Sequence, residues 1–112
     1  MESQRQLKVS RMLQREIGEI FQREAKGKFG SVMITVTKVN VSRDMSVARV
    51  YLSLFATKDK SGLLENIQSQ ANSIRYHLGK RIKNQVRAIP TLEFYLDDSL
   101  DYIDNIEELL EE

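Results

Sequence analysis

Residues 34–55, ITVTKVNVSRDMSVARVYLSLF, set the architecture of the chain. Two runs rich in β-branched residues, Val32 to Val41 and Val47 to Phe55, flank the polar tetrad Ser42-Arg43-Asp44-Met45, and this pattern predicts an antiparallel hairpin. In the second run Ala48, Val50, Leu52 and Leu54 alternate with Arg49, Tyr51, Ser53 and Phe55, so one face is buried and the other partly polar. The first run changes phase. Val32, Ile34 and Val36 share one parity and Val39 and Val41 the other, which predicts a bulge or sharp twist near Lys38.

Helical patterns surround the hairpin. Upstream, Ser3 and Gln6 make a capping-box pair, and Val9, Met12, Leu13, Ile17, Ile20 and Phe21 recur at helical spacing toward Gly27, predicting a helix of about twenty residues. Lys8, Arg11 and Arg15 fall within roughly 60° of one another on its opposite face. Downstream, Ser61 caps a helix carrying Leu63, Leu64, Ile67 and Ala71, and the Ala71-Asn72-Ser73 stretch interrupts it. A second helical stretch then carries Ile74, Leu78, Ile82 and Val86 inward and ends where Pro90 forces Ile89 out of the helical region. Tyr76, Lys80, Lys83 and Arg87 converge within roughly 60° on its outer face, with Gly79 beside them as a low, open stretch of backbone. Thr91 to Asp97 forms the third strand, and Ser99 caps an acidic helix with Leu100, Ile103, Ile106 and Leu110 on one side. The order is helix, strand, strand, helix, kinked helix, strand, and short helix. This is an α+β domain with a three-stranded sheet and the main helices packed on one face.

Charge is segregated along the chain. Of 112 residues, 17 are Lys or Arg, and all of these lie at or before Arg87. Residues 1–90 carry 17 basic against 7 acidic groups, or +10, whereas residues 91–112 carry nine acidic groups and no basic one, or −9. A body this basic points to a polyanion such as RNA, because cations that neutralise phosphates release condensed counterions. The length allows one domain, 1–112, with the acidic stretch 98–112 at its end. The chain has no cysteine, which fits a cytoplasmic location and leaves no thiolate nucleophile or metal site. The start is polar rather than an apolar signal core, and no apolar run approaches the length of a membrane span.

Catalytic readings find little support. His77 is the only histidine and reads as a surface residue. Asp97, Asp98, Asp101 and Asp104 would suit a magnesium-dependent nuclease, but carboxylates in a first helical turn are explained by the helix dipole. Gly27 and Gly30 make no phosphate loop, since no Gly-Lys-Ser/Thr follows. No cofactor, metal or small-molecule substrate is indicated. The two basic stripes, one with a tyrosine able to stack on a base, are the candidate RNA-binding residues: Lys8, Arg11, Arg15, Arg75, Tyr76, Lys80, Lys83 and Arg87.

With residues 34–55, the stretch 74–110, IRYHLGKRIKNQVRAIPTLEFYLDDSLDYIDNIEELL, closely resembles ribosome-binding factor A of bacteria. The most specific parts are Val41-Ser42-Arg43-Asp44, Ala48-Arg49-Val50-Tyr51, and Arg87-Ala88-Ile89-Pro90-Thr91-Leu92-Glu93-Phe94 leading into Asp97-Asp98-Ser99. The resemblance implies a type II KH-like fold whose paired helices meet at an Ala-x-Gly kink. Here Ala71-Asn72-Ser73 puts serine in the place of that glycine. It implies a non-enzymatic assembly factor that binds the free small (30S) ribosomal subunit and 16S rRNA late in maturation, and the chain is expected to act as a monomer. Such a factor supports processing of the rRNA precursor and matters most in the cold. Many family members carry a further tail, whose binding is expected to be absent from a chain ending at Glu112. Other classes fit the charge pattern too: a generic KH-like RNA-binding module, an adaptor docking a basic ribosomal protein, or a small metal-dependent nuclease.

Overall fold

The computed structural model describes residues 3–23, 29, 33–55 and 57–97. The acidic helix expected from Ser99 onward lies outside the described residues. Helix α1 (Gln4–Arg23) starts on the predicted capping box. The Ser3 backbone N–H donates to Gln6 Oε1 at 2.9 Å and the Gln6 N–H donates to Ser3 Oγ at 3.1 Å. Leu13, Ile17, Ile20 and Phe21 are buried, and Val9 and Met12 pack at the margin of the core. Gln6 is buried as well. Its Nε2 donates to the Val41 carbonyl at 3.1 Å, so a polar side chain ties the first turn of α1 to the sheet without an unsatisfied group.

Strands β1 (Met33–Val41) and β2 (Val47–Phe55) pair antiparallel, and the register shifts between Val36 and Lys38. Thr37 is therefore the bulged residue, one position from the expected site. The bulge gives its side chain a use: Thr37 Oγ1 donates to Asp97 Oδ2 at 2.5 Å, which pins the end of β3 (Thr91–Leu96) near β1. Asp97 is thus held by a strand residue. β3 pairs parallel with β2, giving the sheet order β1-β2-β3 with β2 in the centre. Ala48, Val50, Leu52 and Leu54 face the core as the alternation predicts.

Helix α2 (Lys60–Ser69) is capped by Asp59, whose Oδ1 accepts from Gly62 N–H at 2.9 Å. The cap is two residues earlier than the predicted Ser61, because the Asp59 carboxylate reaches an orphan amide of the first turn. A Cβ at position 62 would collide with that carboxylate, so a larger residue there would displace the Asp59 side chain from its capping position. Helix α3 (Ala71–Ile82) follows after a single non-helical residue, Gln70, with φ −103° and ψ 13°. The break falls one residue before the expected site, so Ala71, Asn72 and Ser73 form the first turn of α3. Ser69 and not Ser73 supplies the bending contact, its Oγ donating to the Asn66 carbonyl at 2.6 Å.

α3 also ends sooner than the periodicity suggests. Lys83 is its C-cap, and Gln85 N–H donates to the Ile82 carbonyl at 2.8 Å, a tightened last turn. Pro90 only sets the farthest point a helix could reach. The weaker helix former Asn84 follows directly on the cap, and the chain leaves the helix there. Arg87 therefore lies on the connection to β3 and off the helical stripe. The order helix, strand, strand, helix, kinked helix, strand is the one anticipated, with α1, α2 and α3 contributing Ile17, Ile67 and Leu78 to one core against the sheet.

Candidate nucleic-acid interface

Each basic stripe is set by the helix that carries it. Lys8, Arg11 and Arg15 are exposed because the apolar half of α1 is committed to the core. Lys8 and Arg11 line a shallow groove with Arg5 and the exposed Leu7, and Arg11 borders a second groove with Lys38 of β1. A third groove runs along Arg11, Arg15 and Gly18. A Cβ at Gly18 would meet nothing within 4 Å, so this glycine leaves helix backbone open beside the two arginines. The low backbone was expected at Gly79 instead. Gly79 is half-buried, and a Cβ there would stand 3.4 Å from Ile89 Cγ1, in ordinary contact, so its backbone faces the connection to β3 and not open solvent.

On α3, Tyr76 is 62% exposed and Lys80 Nζ sits 4.6 Å from the centre of its ring. His77 packs edge-on against the same ring at 5.8 Å, a surface ring neighbour. An exposed aromatic face beside a cation is a platform for an unstacked base next to its phosphate. Lys83, also exposed, extends this cluster by one turn. Two other predicted residues do not join it. Arg75 turns to the backbone, its guanidinium donating to the Ile89 carbonyl at 2.7 Å and from Nε to the Pro90 carbonyl at 3.1 Å. Arg87 lines a separate cleft with Arg5 and Arg43.

Arg81, absent from the predicted set, links the two helices. It donates to Glu19 Oε2 at 2.6 Å and Glu16 Oε2 at 3.0 Å, its side chain only 20% exposed. The hydrogen bonds to Glu16 and then Glu19 raise its pKa further above the usual arginine value. One guanidinium thereby offsets part of the charge of the two acidic groups of α1, which it draws toward α3. On the helical wheel Arg81 lies beside Ile74, which was the available sign that it points inward. The cleft arginines Arg5 and Arg43 had no such sign, since they come from unrelated segments.

The opposite face of the sheet carries Tyr51 and Tyr95, stacked at 5.6 Å, and Arg49, whose Nε lies 3.8 Å from Glu93 Oε1. The arginine on that face is paired, whereas the exposed cations of α1 and α3 lie on the helical side. Among the described residues, no three His, Cys, Asp or Glu side chains come together as a metal site would need, and no helix is long and apolar enough to cross a membrane.

Comparison with known proteins points one way. The family model for ribosome-binding factor A matches residues 5–110. The ribosome-binding factor A of Cytophaga hutchinsonii is 44% identical over 110 residues, covering 98% of this chain and 83% of that protein. That of Flavobacterium psychrophilum is 41% identical over 111 residues, covering 98% and 85%. The crystal structure of ribosome-binding factor A from Thermus thermophilus superposes with a TM-score of 0.67 at 25% identity, covering 81% of this chain and 94% of that one. A homology model of the Thermus thermophilus factor, fitted into a cryo-EM map of its complex with the 30S subunit, superposes with a TM-score of 0.64 at 26% identity, covering 79% and 90%.

Proposed function

The chain belongs to the ribosome-binding factor A family, and from that membership we propose that it is an assembly factor for the small ribosomal subunit. It binds the free 30S subunit through 16S rRNA late in maturation and supports processing of the 16S precursor. It acts in the cytoplasm, as a monomer, and performs no chemistry of its own. The observation that carries this reading is the pair of exposed cationic stripes, Lys8, Arg11 and Arg15 on α1 and Lys80 and Lys83 on α3, with Glu16 and Glu19 between them drawn to Arg81 and Glu16 also 3.6 Å from Arg15. Tyr76 beside Lys80 adds a stacking surface, which suits single-stranded or unpaired rRNA better than a regular duplex. The fitted complex of the Thermus thermophilus factor with the 30S subunit supports the same partner here.

Cosedimentation with free 30S subunits and with assembled 70S ribosomes, across a salt series, tests the reading. Binding to the free subunit should fall steeply with salt, by about 0.7 to 0.9 in log affinity per log salt for each phosphate contacted. Retention by 70S ribosomes equal to that by free subunits would contradict an assembly role, and salt-independent binding would contradict an rRNA partner. Accumulation of 16S precursor in cells lacking the protein tests the processing step.

A further inference from the structure

We infer that the cleft between Arg5, Arg43 and Arg87 is a second RNA site that takes one nucleotide of single-stranded RNA, its phosphate held by the three guanidiniums. The inference rests on the proposed rRNA partner and adds a contact separate from the helical stripes. The cleft has a volume of about 590 Å³, within the range of small-ligand sites and ample for one nucleotide. Its charged walls come from three segments: the first turn of α1, the β1–β2 turn and the α3–β3 connection. Val9, Met45, Val86 and Pro90 supply apolar surface between them, suited to a ribose or base edge.

Three features mark this as a built site. The arginines are available: Arg5, Arg43 and Arg87 are exposed and make no ion pair or hydrogen bond with a described residue, unlike Arg49, Arg75 and Arg81. Each wall is also locked in place. Gln6 fastens the first turn of α1 to Val41, Thr91 N–H donates to the Ser46 carbonyl at 2.9 Å, and Arg75 clamps the carbonyls of Ile89 and Pro90 beside Arg87. Finally, the β1–β2 turn is made rigid by Asp44, whose Oδ1 accepts from Ser42 Oγ at 2.8 Å and from Ser46 N–H and Oγ at 3.1 and 2.7 Å.

Asp44 is the one acidic group among the residues lining the cleft, so three guanidiniums face one carboxylate and the net charge is +2. Its hydrogen bonds point that carboxylate into the turn. No acidic residue occupies the first turn of α1, so the positive end of the helix dipole adds to the field at Arg5. Three guanidiniums lining one cleft suit a phosphodiester, which accepts bidentate N–H pairs, better than the spherical charge of a simple anion.

Two measurements test the site. In the intact chain, titration with inorganic phosphate, read by NMR at the arginine Nε–H signals, should shift Arg5, Arg43 and Arg87 along one common isotherm and leave Arg23 nearly unmoved. An equal shift at Arg23 would mean diffuse ion binding and overturn the site. In parallel, the double variant Arg43→Gln, Arg87→Gln should lose at least about tenfold in affinity for free 30S subunits and flatten the salt slope by about 1.4, two single-strand contacts, with Arg23→Gln unchanged. Wild-type affinity and slope in the double variant would overturn the use of the cleft on the ribosome. Failure of the wild-type protein to bind 30S subunits would overturn the proposed function, and the phosphate titration would then decide the cleft by itself.

Discussion

Arg81 of α3 donates to Glu19 of α1 at 2.6 Å, across the seam that separates the two cationic helix faces. The pair joins stability to binding, because the cation that clamps the helices also reduces the repulsion that Glu16 and Glu19 would exert on phosphate. Arg81→Ala should cost about 2 kcal/mol, since it leaves Glu16, only 16% exposed, without its hydrogen-bonded cation and beside the Glu19 carboxylate. Arg15→Ala, at a side chain 67% exposed and 3.6 Å from Glu16, should cost less than about 0.5 kcal/mol. Urea denaturation of the two variants checks the contrast.

Reversing the charge at Lys80 and Lys83 together should leave the fold intact and greatly weaken binding to free 30S subunits. Both residues are exposed, so each substitution should change stability by about 0.5 kcal/mol or less. The salt dependence should flatten by about 0.7 per lost single-strand contact. Equal affinity and an equal slope in the variant would remove α3 from the interface.

Gly18→Ala separates folding from binding. A glycine in a helix interior with open space above it costs roughly 0.5 to 1 kcal/mol relative to alanine, so the variant should be more stable by that amount. If RNA backbone lies close to α1 beside Arg11 and Arg15, the added methyl group should weaken 30S binding. A gain in melting temperature with unchanged affinity would show that the groove is not occupied.

Ser73 offers a test of where the helix bends. It lies in the first turn of α3, past the break at Gln70, so glycine should cost roughly 0.5 kcal/mol there, the difference in helix propensity between the two residues. Ser73→Gly that proved neutral or stabilising would place the strain at residue 73. Thermal unfolding monitored by circular dichroism distinguishes the two.

Asp44 should give the protein a characteristic acid sensitivity. Hydrogen bonds from Ser46 and Ser42 lower its pKa from 3.8 to about 2. A carboxyl group with a folded-state pKa below its unfolded value stabilises the fold above the unfolded pKa and loses that contribution as the pH falls through the folded one. The contribution is therefore complete above about pH 4 and fades toward pH 2. Asp44→Asn should be less stable than the wild type at neutral pH, and the difference should shrink across that interval. Melting curves between pH 6 and pH 2 measure it.

Much of the fold was legible because its signals are local and periodic. The capping box of Ser3 and Gln6, the stripe from Leu13 to Phe21, the alternation from Ala48 to Leu54 and the phase change near Lys38 each depend on neighbours within a turn or a strand repeat, and the structure contains all of them. The exposure of Lys8, Arg11, Arg15, Tyr76, Lys80 and Lys83 followed in the same way, since a face opposite a buried stripe must meet solvent.

Elements, their buried faces and the charge asymmetry could thus be read along the chain, but which charges stay available could not. Arg75 and Arg81 look like their neighbours in sequence, yet one is spent on the carbonyls of Ile89 and Pro90 and the other on Glu16 and Glu19. Helical periodicity carried Arg87 onto the α3 stripe, whereas the early end of α3 at Ile82 sends it to Arg5 and Arg43. Hydrophobic periodicity is a property of one element, whereas an ion pair or an arginine cluster requires side chains from several elements to meet. Those meetings exist only after the helices have packed on the sheet.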